Sequence, residues 1–139
     1  MQAITPYLNF NGNAAEALDF YAKALGGQIV HKQTFGDTQG DYPVAESHKD
    51  KLMHALFNAG ELSFMVSDCP PGVSVTSGNA ISLALNFTDE TSIANAFNAL
   101  GEGGTVTMPL QDTFWGARFG MLTDKFGFNW MFNYDKPKS

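Results

Sequence analysis

The chain has one cysteine, three histidines and few charges, and each shortage removes a class of function. Cys69 alone excludes an internal disulfide framework and any multi-cysteine metal site. It stands before Pro70-Pro71-Gly72 in an expected loop with no base nearby in sequence, so it reads as a bystander thiol. Charged residues make up 16% of 139 positions and the net charge is −6, with no basic run or stripe. That argues against nucleic acid as a partner and equally against an anionic membrane surface. No apolar stretch approaches a membrane span, and no basic region followed by an apolar run marks a secretory leader, so a soluble cytoplasmic protein is expected. His31, His48 and His54 form no i, i+4 pair, which rules out a zinc-helix motif. Asp37, Asp41 and Glu46 lie in a stretch from Gly36 to Asp50 that lacks the EF-hand spacing and reads as a mobile, solvated loop.

What the chain does have is apolar content and a repeat. Hydrophobic residues make up 44% and aromatics 13%, enough for a sizeable core. Shifted by 77 positions, Leu8 to Ile29 falls on Leu85 to Val106. Leu8-Asn9-Phe10 meets Leu85-Asn86-Phe87, Ala17 meets Ala94, Phe20 meets Phe97, Ala22 meets Ala99, and Gly26-Gly27 meets Gly103-Gly104. Chance would give about one or two identities over such a window, and the pattern predicts a duplicated module.

Each copy reads as strand, helix and three strands. In the first, Ala3 to Phe10 alternates as a strand with Leu8 and Phe10 on one face and Tyr7 and Asn9 on the other. Asn13 is expected to cap a helix running to Leu25, with Glu16 completing a capping box and Gly26 stopping it. Strands follow at Gln28 to Phe35, Leu52 to Ala59 and Leu62 to Ser67, the last two joined by a Gly60-Glu61 hairpin. Residues 69–79 form the linker between a module over 1–68 and another over 80–139, the two making one compact domain.

In the second copy, Ala80 to Phe87 is a strand, and Thr88 or Asp89 caps a helix bearing Ile93, Ala94, Phe97 and Leu100. Thr105 to Leu110 is a short strand, and Phe114 to Thr123 turns at Asp124-Lys125-Phe126-Gly127 into Phe128 to Tyr134. The expected fold class is α+β: two βαβββ modules forming curled mixed sheets around a cleft, with helices outside. By strand parity, Asn129, Met131 and Asn133 share one face and Phe128, Trp130 and Phe132 the other.

The residues Pro6-Tyr7-Leu8, Phe10-Asn11-Gly12-Asn13, Glu16 to Tyr21, Lys51-Leu52-Met53-His54-Ala55, Ser67-Asp68 and Asp124 to Phe132 resemble one family over essentially the whole chain. It is the vicinal oxygen chelate (glyoxalase/bleomycin resistance/dioxygenase) superfamily, and within it the PhnB-like branch, some members of which carry a 3-demethylubiquinone methyltransferase label. The resemblance implies a cleft lined by the strand faces turned from the helices, and a homodimer. Metal-dependent members take His, Gln or Glu from four strands. Carried over, those positions fall at Thr5 or Pro6, near Met65, at Ser82 and at Met131. Hydroxyls and thioethers suit such an ion poorly, so no metal and no other cofactor is expected. The methyltransferase label also finds no support, because Gly101-Glu102-Gly103-Gly104 follows a helix rather than a strand.

The cleft is expected to involve Tyr7, Asn9, His54, Met65, Ser82, Asn86, Trp115, Arg118, Asn129 and Met131, with Ala84 beside them. No catalytic residue is assigned. His54 reads either as a satisfied core histidine or as a base facing the cleft. Arg118, on one strand with Trp115 but of opposite parity, reads either as an edge residue or as an anchor for an anion. His31 and His48 are expected to be solvated. The functional reading is a small-molecule binding or sequestering protein. The alternatives are a lyase or isomerase using a non-standard site around His54, Tyr7 or Arg118, and a dimeric scaffold without a ligand.

Overall fold

A computed structural model describes residues 1–37 and 44–137. Asp41 of the acidic stretch and the last two residues of the chain lie outside the described residues. The chain divides into two compact units, Met1–Thr76 and Ser77–Ser139.

The first unit runs β1 (Tyr7–Phe10), α1 (Ala14–Leu25), β2 (Gln28–Thr34), β3 (Leu52–Ala59) and β4 (Leu62–Asp68). The second runs β5 (Leu83–Phe87), α2 (Glu90–Leu100), β6 (Thr105–Asp112), β7 (Ala117–Thr123) and β8 (Asn129–Asp135). The sheets are ordered β1-β4-β3-β2 and β5-β8-β7-β6. In each, the first strand lies parallel to the last and the other pairings are antiparallel. This is the expected α+β fold of two βαβββ modules, each an open mixed sheet with a helix on one face.

Helix α1 buries Ala14, Ala17, Leu18 and Tyr21 against the sheet face carrying Leu8, Phe10, Phe57, Phe64 and Val66. The Tyr21 and Phe64 rings meet edge to face at 5.6 Å. Helix α2 buries Ile93, Ala96, Phe97 and Leu100 over Leu85, Leu122, Trp130 and Phe132, with Phe97 edge-on to Phe132 at 5.0 Å. Ala96 takes the buried place expected for Ala94, which is half-buried.

The duplicated glycine pairs have two distinct causes. Gly26 and Gly103 have φ of 69° and 77°, the left-handed conformation that turns the chain out of a helix. Gly27 and Gly104 sit where a side chain has no room: a Cβ on Gly27 would lie 2.6 Å from the Asn58 carbonyl oxygen, and one on Gly104 would collide with the Thr123 carbonyl. The repeat continues one step further, into a β-bulge. Register shifts fall between Ile29 and His31 in β2 and between Val106 and Met108 in β6, again 77 positions apart.

Several expected boundaries move for identifiable reasons. β1 starts at Tyr7 rather than Ala3: the proline before it has no N–H, and its ladder contact is the carbonyl that accepts the Met65 N–H at 2.9 Å. β5 starts at Leu83 rather than Ala80, because the Asn129 amide binds the Gly78 and Ile81 carbonyls and holds that stretch out of the ladder. β6 runs on to Asp112 instead of stopping at Leu110; it is an edge strand, where Pro109 and a second bulge are tolerated. β7 starts at Ala117, not Phe114, because Gly116 at φ 86° closes a turn there.

The α1 cap differs too. Asn13 makes no side-chain capping hydrogen bond and the expected capping box does not form. Asp68, buried at the end of β4, does that work: its Oδ1 accepts the Gly12 and Ala14 N–H groups, and its Oδ2 accepts the Leu52 N–H, all at 2.9 Å. One carboxylate thus ties the helix start to the start of β3. In the second unit α2 has a local cap, with Asp89 Oδ1 accepting the Ser92 N–H at 2.7 Å. Buried Asp124 instead fixes the β7–β8 turn, accepting from the Phe126 and Phe128 N–H groups and from the Trp130 indole.

Candidate functional site

Each sheet has one face under its helix and one turned away from it. On the turned-away face of the first sheet, register places His31 opposite Leu56, Leu56 opposite Met65, and Met65 opposite Tyr7. The next row carries Gln33 opposite His54, and Ser67 opposite Asn9. The imidazole of His54 has the His31 ring at 5.6 Å on the β2 side and the Tyr7 ring at 6.1 Å on the β1 side. Tyr7 therefore leans across β4 to reach it. Among the described residues no hydrogen bond to the side chains of Tyr7, His31 or His54 is formed, so a phenol and two imidazoles keep their donors and acceptors. His54 is half-buried, and Tyr7 and His31 are exposed.

His31 reaches this face because of the bulge. Ile29 pairs with Phe57 on the helix side, and an unbroken strand would put His31 on that same side. One extra residue at Val30 turns His31 outward. His31 is exposed, as expected, and the bulge gives it a place on the face that His54 shares. His48 is a correction, since it was expected to be solvated: it is half-buried, its Nε2 donates to the Cys69 carbonyl at 2.9 Å and its ring lies 4.8 Å from Phe35. It fastens the segment before β3 and stays apart from the His31–His54 pair. Cys69 itself is buried and unpaired.

The corresponding face of the second sheet has different chemistry. Its middle row is Met108, Met121, Met131 and Ala84, each opposite the next on neighbouring strands. The adjoining row is Gln111, Phe119, Asn133 and Asn86. Met108 and Met131 occupy the places that His31 and Met65 hold in the first sheet. The surface is thioether and aromatic, polarizable and nearly uncharged. Met108, Met121 and Phe119 went unnoticed in the sequence because their common face follows from the bulge in β6 and from pairing register.

The remaining expected site residues divide. Tyr7, Asn9, His54 and Met65 share the first open face, and Asn86 and Met131 share the second. Ser82 lies just before β5 and is half-buried. Trp115 is a correction: it sits in the β6–β7 turn rather than on a strand with Arg118, 58% exposed, and still reaches the open-face Phe119 edge-on at 6.3 Å. Phe114 stands 5.0 Å beside it. Arg118 shares parity with Gly120 and Leu122 on the helix side and binds Asp112 at 3.1 Å, away from Met121 and Met131. Lys136 also binds Asp112, at 2.7 Å, and the two cations hold its carboxyl below the usual carboxylate range, Lys136 contributing most. Asn129 is engaged structurally: besides the two carbonyls, its Oδ1 accepts the Thr123 hydroxyl at 2.9 Å.

The positions carried over for a superfamily metal offer Thr5 or Pro6, Met65, Ser82 and Met131, with no imidazole or carboxylate among them. Among the described residues no three of His, Cys, Asp and Glu come together. These residues do not fit a divalent ion there.

Fold and sequence together assign the class. Residues 4–132 match the Glyoxalase/Bleomycin resistance protein/Dioxygenase superfamily, and the chain belongs to it. It is 31% identical to Protein YjdN of Escherichia coli strain K12, over 97% of each chain. Among solved structures it is similar to protein PA1353 from Pseudomonas aeruginosa, at 42% identity and a TM-score of 0.87 over 99% of this chain and 100% of that one. It is also similar to a putative 3-demethylubiquinone-9 3-methyltransferase, a PhnB protein from Bacillus cereus, at 29% identity and a TM-score of 0.78 over 96% and 99%. No helix among the described residues is long and apolar enough to cross a membrane.

Proposed function

We propose that this chain binds, and thereby sequesters, a small organic molecule on the sheet face carrying Tyr7, His54 and Met65. The observation that supports this is the grouping of a phenol and two imidazoles, 6.1 and 5.6 Å apart, with no hydrogen bond to their side chains among the described residues. Polar aromatics beside the apolar Leu56 and Met65 suit a moderately polar ligand, with oriented polar groups set in an apolar surround. Family membership favours the reading without naming the ligand, since one fold carries many chemistries. The protein is taken to act as a homodimer, as the family resemblance implies, in a cytoplasm where the single thiol of Cys69 needs no partner.

A thermal-shift screen of metabolites and natural products tests this, repeated on Tyr7→Ala and His54→Ala. Hits that raise the melting temperature of the wild type and lose most of that shift in both variants support the face as the site. Hits equally effective on both variants refute it.

A second reading, a lyase or isomerase, draws on the same contact. His54 lies between two groups that can donate and accept protons, and an imidazole so placed can serve as the general base for a carbon acid bound against it. Turnover of a bound hit, abolished by His54→Gln while binding persists, would favour the enzyme over the binder.

A further inference from the structure

We propose that His31 and His54 form a two-imidazole chelate for a late first-row divalent cation such as Zn2+ or Cu2+. This site is separate from the positions carried over from the superfamily metal, which offer no suitable donors.

The spacing fits. A metal–nitrogen bond of about 2.0–2.1 Å, with about 1.1 Å more from the nitrogen to the ring centre, puts each centroid about 3.2 Å from a shared ion. Two such rings are then about 5.2 Å apart at a tetrahedral angle and about 6.4 Å apart when opposed. The observed 5.6 Å lies between.

The rings are also held in a way that favours chelation. They stand on hydrogen-bonded neighbouring strands, His31 opposite Leu56 and His54 opposite Gln33, so neither backbone must move to bring them together. The bulge at Val30 is the cause of the juxtaposition. In the second module the same bulge presents Met108 rather than a histidine, and the place of His54, in the adjoining row, is taken by Phe119. The two-nitrogen set is therefore particular to the first sheet. Both side chains lack hydrogen-bond partners among the described residues, so no internal contact competes with the ion. A net charge of −6 raises the local concentration of cations. Imidazole donors without a thiolate select nickel, copper and zinc over magnesium or calcium, and copper binds most tightly in that series.

The test is a Cu2+ titration of the full chain in a weakly coordinating buffer, read by paramagnetic broadening of the imidazole C–H resonances and by calorimetry. At substoichiometric Cu2+ the His31 and His54 signals are expected to vanish together, while His48, bound to the Cys69 carbonyl, persists. Calorimetry is expected to show one saturable equivalent, weakened about tenfold or more in His31→Ala and in His54→Ala, since each removes one of two protein donors. Early loss of the His48 signal, or an affinity unchanged in His31→Ala, would overturn the proposal. Because His31 is exposed, its variant tests the site even if His54→Ala fails to fold. Failure of the metal site leaves the organic-ligand reading standing, because that reading is judged by thermal shift with Tyr7→Ala.

Discussion

Asp68 Oδ1 accepts the backbone N–H of Ala14 at 2.9 Å, so the first helix is capped by a carboxylate 54 residues further along the chain. Three backbone donors converge on this one buried side chain, from Gly12, Ala14 and Leu52. Removing it strands the Ala14 and Leu52 donors away from water, at about 1–3 kcal/mol for each buried donor left unpaired, and leaves the half-buried Gly12 N–H without its partner. Asp68→Ala is therefore expected to lower unfolding free energy by several kcal/mol, with Asp68→Asn intermediate because its carbonyl oxygen can replace only some of these bonds. Urea denaturation followed by circular dichroism measures both, and Asn13→Ala serves as the contrast, with an expected cost below about 0.5 kcal/mol.

The paired glycines separate two physical effects in one fold. Gly26→Ala meets nothing within 4 Å and carries only the left-handed backbone penalty, about 1–2 kcal/mol. Gly104→Ala must push into the Thr123 backbone, an overpacking cost of about 1–3 kcal/mol or more. Asparagine, which tolerates the left-handed region, is expected to recover part of the loss at Gly26 and none at Gly104. Thermal melts of the four variants check the pattern.

The Asp89 cap sets an acid limit on α2. The Ser92 N–H, and then the Ser92 hydroxyl, hold the Asp89 carboxyl below its usual range. A depressed folded pKa means the group binds protons more readily when unfolded. Its contribution is thus full above the unfolded value near about pH 4 and fades as pH falls through the lower folded value. The stability gap between wild type and Asp89→Ala is expected to be present at about pH 7 and to narrow as the pH falls below about 4. Denaturation of both proteins across that range tests the sign.

Much of this was legible in the sequence, and what was not has a common cause. The 77-residue repeat, the α1 stop at Gly26 and the Trp130–Phe132 core face follow from periodicity and glycine placement, which are local signals. That Tyr7 and Asn9 share one face of β1, opposite Leu8 and Phe10, was legible because the strand is short and unbroken. His31 and Met108 were missed because parity counting fails across a bulge, and the shifts at Val30 and Thr107 leave no residue-level mark. Trp115 and Arg118 were read as strand neighbours because Gly116 was not recognised as a turn. The Asp68 cap was invisible for another reason: a helix start closed by a distant carboxylate shows no nearby capping pattern, and Asn13 with Glu16 supplied a plausible local one.

The most direct test of the account is a mapping of backbone amide shifts as a ligand from the thermal-shift screen is added. Binding at the proposed face is expected to move the amides of Tyr7, His54 and Met65 together, and to lose that response in Tyr7→Ala. Saturable binding that leaves all three unmoved would contradict it.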